Sequence, residues 1–481
     1  MVKKAGLIVG PILFLIISQF SGSGLSPEAW KVLSVAAWMV AWWVTEAVPI
    51  PVTALLPLFL FPILGVFSIR DSASPYASPI IFLFMGGFMI GLGMKKRRLH
   101  ERIALHLIKI TGTKANGIIL GFMLATAFLS MWISNTATAV MMLPVALSVI
   151  ALLQEKNNGP ETQDHSRFSL TLLLGIAYAA NIGGTATIVG TPPNAVLVGY
   201  MEQFYDYDLT FSRWLAIGIP ISMTLLFVTY FLLTRVLFAN KLGNMADSSS
   251  VIDERIRLLG KPAKAEKMVM LLFLLTAVAW IIRQPINHYL EMYFGLEPRL
   301  NDTIIAMIGG ISMFIVPVDW NKSEFILDWE DTRELPWGIL ILFGGGLCLA
   351  RGMEISGIIQ NIGDSISAFS DVNIWVIAIL LTATVLFMTE LMSNVALVTI
   401  FIPVVLGIAD GLGVDPLYLA IPVTLASSCA FMMPISTPPN AIVFSSKKIK
   451  MQQMMKAGVW LNLISILILY IAYETIISWV Y

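Results

Sequence analysis

The chain has 481 residues, 57% of them hydrophobic and only 12% charged, with 30 basic against 30 acidic side chains. Soluble domains carry about 25% charged residues, so an ordinary water-soluble protein is excluded. A formal net charge of +0 offers no basic face to a nucleic acid, and the apolar runs are too long for the alternating strands of a transmembrane barrel.

A membrane-spanning helix needs about 20 mostly apolar residues. Segments of that kind are predicted at 7–22, 29–48, 52–67, 77–94, 168–201, 212–238, 268–282, 303–318, 336–352, 416–446 and 455–479. The first follows Lys3 and Lys4 and ends near "SGSG", the outline of a signal peptide. A protein with this many spans needs no cleaved leader, so it is read as a retained span. Two further blocks, 115–154 and 372–409, are apolar throughout, with Glu390 as the one charge between them. Hydropathy does not separate a pair of full spans from a hairpin that enters and returns. The reading is an all-α polytopic membrane protein in the lipid bilayer of the cytoplasmic (inner) membrane.

Basic residues gather at Lys3 and Lys4, at "KKRR" (Lys95 to Arg98), in the 241–267 loop, and at Lys447, Lys448 and Lys450. The positive-inside rule places all four in the cytoplasm, with the N-terminus inside and the C-terminus outside. Within 95–110, Leu99, Ile103, Leu107 and Ile108 share one helical face, which predicts an interfacial helix on the cytoplasmic surface.

The chain repeats itself. "LFMGGFMIGLG" around Gly86 matches "LFGGGLCLARG" around Gly344, "SNTATAVMMLP" at Ser134 matches "SNVALVTIFIP" at Ser393, and "GTPPNAV" at Gly190 matches "STPPNAI" at Ser436. The order is the same in both halves, and the count of spans between them gives opposite orientations. Such inverted repeats build many secondary transporters. Gly86, Gly87 and Gly344 to Gly346 are assigned to close helix packing. Trp42, Trp43 and Trp132 are assigned to belt or packing roles, and Glu46 to a span end.

The runs 168–201 and 416–446 exceed one straight span, and both carry Thr-Pro-Pro-Asn in their second half. Two consecutive prolines remove two N–H donors and break the helical ladder. Each run is therefore read as two half-helices joined by unwound backbone, which is tolerated at membrane depth only when buried in protein or lining a wet cavity. There it offers carbonyls to a cation, and half-helix N-termini offer N–H groups to an anion. The Ser, Asn and Thr of the SN motifs add neutral oxygens and donors, suited to Na⁺ and to a carboxylate. A lone SNT motif reads as helix–helix glue; two, each followed by TPPN, read as a site. Glu390 beside the second motif has Met131 as its counterpart in the first, so a shared ligand role is disfavoured, and pairing and functional roles stay open. Cys348 and Cys429 have no metal-type spacing and the four histidines are scattered. Without HExxH, a P-loop, GxGxxG or a nucleophile with a partnered base, an enzyme is not expected.

The motifs "WWVTEAVPIPVTALLPL", "MWISNTATAVMMLP", "IGGTATIVGTPPN" and "SSCAFMMPISTPPNAIV" resemble those of the divalent-anion/sodium symporter family, the INDY-type dicarboxylate and citrate transporters, over nearly the whole chain. The resemblance implies a homodimer, about eleven transmembrane helices, and two re-entrant hairpins whose tips meet. It implies a scaffold from 1–110 and 268–355, and a transport domain from 111–240 (hairpin 115–154, broken helix 168–201, helix 212–238) and 356–481 (hairpin 372–409, broken helix 416–446, helix 455–479). The 241–267 loop joins them. One Na⁺ site is implied at Ser130, Ser134, Asn135 and the backbone near Gly183. A second is implied at Thr389, the Met392 backbone, Asn394 and the Ser436 backbone. Substrate carboxylates are implied at Ser134, Asn135 and Thr136, and at Ser393, Asn394 and Val395, with Thr437 and Pro438 nearby. The second tip reads SNV where many bacterial members read SNT, and Val395 cannot donate the hydrogen bond of a threonine. The implied activity is Na⁺-coupled uptake of C4-dicarboxylates such as succinate, malate and fumarate by an elevator-like movement. The alternatives are Na⁺-independent exchange, or citrate or sulfate as substrate.

Overall fold

The computed structural model describes residues 2–20, 22, 24–156, 162–243, 246–295, 300–367 and 373–477. Ser21 and Ser23 of "SGSG", positions 244 and 245 of the loop, and the predicted span ends at 372, 478 and 479 lie outside them.

The described residues are helical almost throughout. The first group is α1 (Val2–Ile17), α2 (Pro27–Thr45), α3 (Ile50–Thr53), α4 (Leu56–Leu64), α5 (Ile69–Ala73), α6 (Pro79–Lys96) and α7 (Leu99–Ile110). The predicted 52–67 span is thus two short helices, with Pro57 starting the second. The helix expected over 95–110 begins at Leu99 rather than Lys95, because α6 runs on through Lys96 and the chain turns at Arg98 in the left-handed region (φ 59). The turn is held by acids from the 324–334 connector. Lys95 pairs with Glu334 at 2.6 Å, Lys96 with Asp328 at 2.8 Å and Asp331 at 2.6 Å, and Arg97 with Glu324 at 2.7 Å.

Both SN blocks are helix–break–helix units. The first is α8 (Ala115–Ser130) and α9 (Asn135–Lys156), with Met131 to Ser134 between them. The TPPN run that follows is α10 (Gln163–Gly184) and α11 (Pro192–Tyr205), leading to α12 (Phe211–Phe231) and α13 (Ala246–Leu259). The prolines stand at the first positions of α11, where a missing N–H costs nothing, and hold the preceding Thr191 extended.

Next come α14 (Lys264–Ile281), α15 (Arg283–Phe294), α16 (Asp302–Ile315), a short hairpin of β1 (Pro317–Asp319) and β2 (Glu324–Phe325), α17 (Trp337–Ile355) and α18 (Ile358–Ser367). The sequence reading did not predict α15. Its axis is bent 72° from α14, because Pro285 cannot donate to the carbonyl of Ile281 and clashes with it. The second SN unit is α19 (Ile374–Met388) and α20 (Asn394–Leu412). The second TPPN run is α21 (Pro416–Ser427) and α22 (Pro438–Phe444), and α23 (Met451–Ala472) follows. Among the described residues five helices are long and apolar enough to cross a membrane, six if α14 and α15 count as one broken span. The half-helices α8, α11, α19, α21 and α22 are too short to cross singly, whereas α20 of the second SN unit is one of the five.

From Phe168 to Gly184, α10 is buried on every side, with α8, α9, α12 and α22 against it. The close approach to α8 requires Gly183, where a side chain would strike the Ala127 backbone. A second apolar cluster joins α2, α4 and α17.

Candidate functional site

The two breaks of the SN units and the two TPPN turns meet at one cavity of about 670 Å³. Ser134, Asn135 and Thr136 line it from one tip, and Met392, Ser393, Asn394 and Val395 from the other. Thr191 to Pro193 and Ser436 to Pro438 close the remaining sides, with Asn181 between them. Thus all eight residues predicted to meet substrate line one space. Of the predicted ion ligands, Ser130 and Thr389 lie just behind the lining, fully buried.

Each tip is braced in the same way. Ser130 Oγ reaches Asn135 Oδ1 (2.6 Å) and the Ala180 carbonyl (2.7 Å). Thr389 Oγ1 reaches Asn394 Oδ1 (2.7 Å) and the Ser427 carbonyl (2.6 Å). A hydroxyl has one proton and cannot donate to both acceptors at once. Each place therefore gathers a hydroxyl, an amide oxygen and a main-chain carbonyl, neutral oxygens of the kind that suit a hard monovalent cation. Gly183 serves the α8 contact, while its neighbour Gly184 lies against Asn135, where a Cβ would sit 2.5 Å from Oδ1.

The unwound linkers are held by residues the sequence reading passed over. Asn194 Nδ2 donates to the carbonyls of Thr187 (2.8 Å), Thr185 (3.3 Å) and Gly184 (3.4 Å). Asn440 Nδ2 does the same for Ala430 (3.0 Å) and Met433 (3.1 Å). The Asn of TPPN thus satisfies carbonyls that a helix would otherwise have used. Asn181 joins the halves, donating to Thr437 Oγ1 at 3.0 Å. It stands immediately before "IGGTATIVGTPPN", within the 168–201 run that is read as two half-helices joined by unwound backbone.

Glu390 is buried, 3% exposed. Its Oε1 accepts from the N–H groups of Phe431 (2.8 Å) and Met432 (2.9 Å) and from Asn462 Nδ2 (2.8 Å). Its Oε2 accepts from Met433 N–H (3.1 Å) and Ser436 Oγ (2.6 Å). Five donors compensate the charge, so Glu390 ties down the second linker. In the first half Thr187 Oγ1 donates to the Met131 carbonyl at 2.6 Å instead, which explains why Met131 needs no carboxylate.

Of the residues lining the cavity only Glu46 is charged. It stands at the solvent-exposed end of α2, paired with Lys3 at 3.3 Å. Ser134 and Thr136 also face a side chamber lined by Lys95 and His100. The cavity therefore opens toward the face that carries Lys3, Glu46 and Lys95. At the opposite ends of α6, α11 and α17 lies a separate crevice of about 770 Å³, lined by Pro79, Glu202, Arg351 and Glu354. Between cavity and crevice the helices are sealed: Gly199 faces Leu347 and Ile80, and Tyr200 donates to the Thr399 carbonyl at 2.9 Å.

A polytopic helical fold with broken helices around a central polar cavity, open to one face, defines the class of membrane transporters. The family model for the sodium:sulfate symporter transmembrane region matches residues 3–480, and the chain belongs to that family. The sodium-dependent dicarboxylate transporter SdcS of Staphylococcus saprophyticus is 38% identical over 470 residues, 97% of this chain and 90% of that protein. SdcS of Staphylococcus aureus strain USA300 is 40% identical over 471 residues, 96% of this chain and 89% of its own. The fold is shared with the YdaH transporter of Alcanivorax borkumensis (TM-score 0.61, 12% identity, 99% of this chain and 97% of that one). It is also shared with MtrF of Neisseria gonorrhoeae (TM-score 0.58, 11% identity, 98% and 94%). The protein is a multi-pass membrane transporter and not an enzyme.

Proposed function

We propose that the protein couples Na⁺ entry to the uptake of C4-dicarboxylates such as succinate, malate and fumarate. The observation that carries this reading is the convergence of both SN tips and both TPPN turns on one cavity that has no cationic side chain in its lining. A dicarboxylate entering it meets only neutral donors. An uncompensated dianion at a site without a cationic side chain is disfavoured once that site is carried away from water, so cations enter with it. The two hydroxyl–amide–carbonyl clusters at Ser130/Asn135 and Thr389/Asn394 supply places for two Na⁺ ions, completed by Ser134 and Gly183 on one side and by Met392 and Ser436 on the other. Substrate carboxylates then meet Ser134, Asn135 and Thr136 at one tip and Ser393 and Asn394 at the other, with Val395, Thr437 and Pro438 shaping the space. The SdcS relatives, named as sodium-dependent dicarboxylate transporters, support this assignment.

The halves act as inverted repeats. Residues 111–240 and 356–481 form the transport domain and move as one body against the scaffold of residues 1–110 and 268–355, in a homodimer. With Lys3 and Lys95 in the cytoplasm and the C-terminus outside, the cavity faces inward. The sealed plane between α11 and α17 is then the surface along which the bodies slide.

The test is labelled succinate uptake into proteoliposomes with Na⁺ or choline outside, with citrate and sulfate as competitors. Uptake is expected only with Na⁺. Asn135→Ala and Asn394→Ala should each abolish it while the protein still assembles. Equal succinate affinity in choline, or normal uptake by either variant, refutes the assignment.

A further inference from the structure

The elbow after α14 sets Arg283 at the start of α15, buried at 6% exposure with a carboxylate on each side. Asp302, at the start of α16 and equally buried, lies 3.2 Å from Nη1. Asp208, in the turn between α11 and α12, lies 2.5 Å from Nη2. Asp302 Oδ2 also accepts the Phe211 N–H at 2.6 Å. That amide opens α12 and has no acceptor within its own helix.

Aromatic packing runs along the same contact. Phe211 stacks on Trp280 of α14 with ring centroids 4.4 Å apart, and Trp280 Nε1 donates to the Asp302 carbonyl at 3.0 Å. Trp132, just before Ser134 at the first SN tip, packs edge-on against Phe273 of α14 at 4.8 Å. Through Trp214, which donates to the Thr185 carbonyl at 3.1 Å, α12 is also tied to the first unwound linker. The substrate-facing tip and the start of α12 are therefore gripped together by the α14–α16 elbow.

We propose that Asp208, Arg283 and Asp302 form a latch that holds the tip and α12 against this elbow while the cavity is open toward Lys3 and Glu46. The inference rests on the two-body movement proposed above. Arg283 and Asp302 belong to the same side and neutralise each other, so neither is stranded in an apolar contact when the bodies part. Asp208 belongs to the other side, and its side chain is 68% exposed. On release its carboxylate returns to water. Opening the latch breaks a screened ion pair, one N–H bond and a ring stack, and leaves no unpaired buried charge. A fully buried pair split across the same plane would resist opening; an exposed Asp208 makes the contact reversible.

The experiment uses the full chain in nanodiscs, where both faces are reachable, with Cys348 and Cys429 replaced by alanine. The reporter is Leu347→Cys, 3% exposed at the wild-type side chain and sealed against Gly199 in this conformation. Asp208→Asn should raise its maleimide labelling rate about two- to fivefold, the range of an exposed ion pair. Asp208→Glu should restore the slow rate, and high salt should speed the unmodified latch but not Asp208→Asn. Melting temperature should not change, since Asp208 is exposed. Labelling that responds to Na⁺ and succinate but not to Asp208→Asn overturns the latch alone. Labelling that responds to none of these overturns the two-body movement as well.

Discussion

Glu390→Gln tests how much of the second linker depends on one carboxylate. The best placement of the new amide keeps its oxygen where Oε1 accepts from Phe431, Met432 and Asn462. The NH₂ then takes the place of Oε2. There it can donate to Ser436 Oγ, which reorients, but it faces the Met433 N–H, and that donor is orphaned. An orphaned buried donor costs about 1–3 kcal/mol, and the surviving bonds lose their ionic strengthening. A total of about 2 kcal/mol or more is expected, and part of it falls on the ordering of the 428–437 linker that presents Ser436. If 2 kcal/mol must be repaid on ion binding, the apparent Na⁺ affinity falls roughly thirtyfold. Succinate uptake as a function of Na⁺ measures this, with a thermal melt in parallel. Glu390→Asp should recover little, because the shorter side chain cannot reach all five donors. A Na⁺ dependence within twofold of the parent and an unchanged melt would refute the reasoning.

Three other outcomes are expected. Val395→Thr adds a donor of the same shape to the second tip, and should lower the KM for succinate about two- to tenfold without changing that for Na⁺, as read by competition uptake. Asn440→Ala and Asn194→Ala strip the linker carbonyls of their donor, and each should cost about 1–3 kcal/mol in a denaturation series, with Asn440→Ala also blunting Na⁺ dependence. Burial holds the His100 imidazole below its ordinary value, against the opposing pull of the Met94 carbonyl and Glu101. A ring depressed in the folded state contributes stability that is present above its unfolded pKa of about 6.5 and lost as the pH falls through the folded value. The melting temperature of the parent should therefore drop more than that of His100→Gln below about pH 6.5.

Much of the site could be read from the chain because its signals are local. Two prolines in succession mark a helix start wherever they occur, and both TPPN turns begin half-helices as predicted. An uncharged SN cluster in a long apolar block marks a break, and both blocks break there. Lys95 to Arg98 misled by composition alone: basic residues suit an interfacial helix, but acids of the 324–334 connector, more than two hundred positions away, instead hold them at the end of α6. The elbow at Arg283 was missed for a different reason. Pro285 was a visible breaker, but the segment after it is too polar to register as a span.

Composition, span periodicity and the repeated motifs by themselves determine that this is a helical membrane protein with two matched polar breaks in each half. These properties depend on helix hydrogen bonding, proline and the bilayer, and so they are carried by short windows. Only the tertiary structure decided that the breaks face one cavity, that Glu390 binds the second linker and α23 with its two oxygens, and that Asn181, Asn194 and Asn440 hold the unwound backbone. A buried polar atom takes whichever partner packing brings within about 3 Å, and that partner is set by helices from opposite halves of the chain.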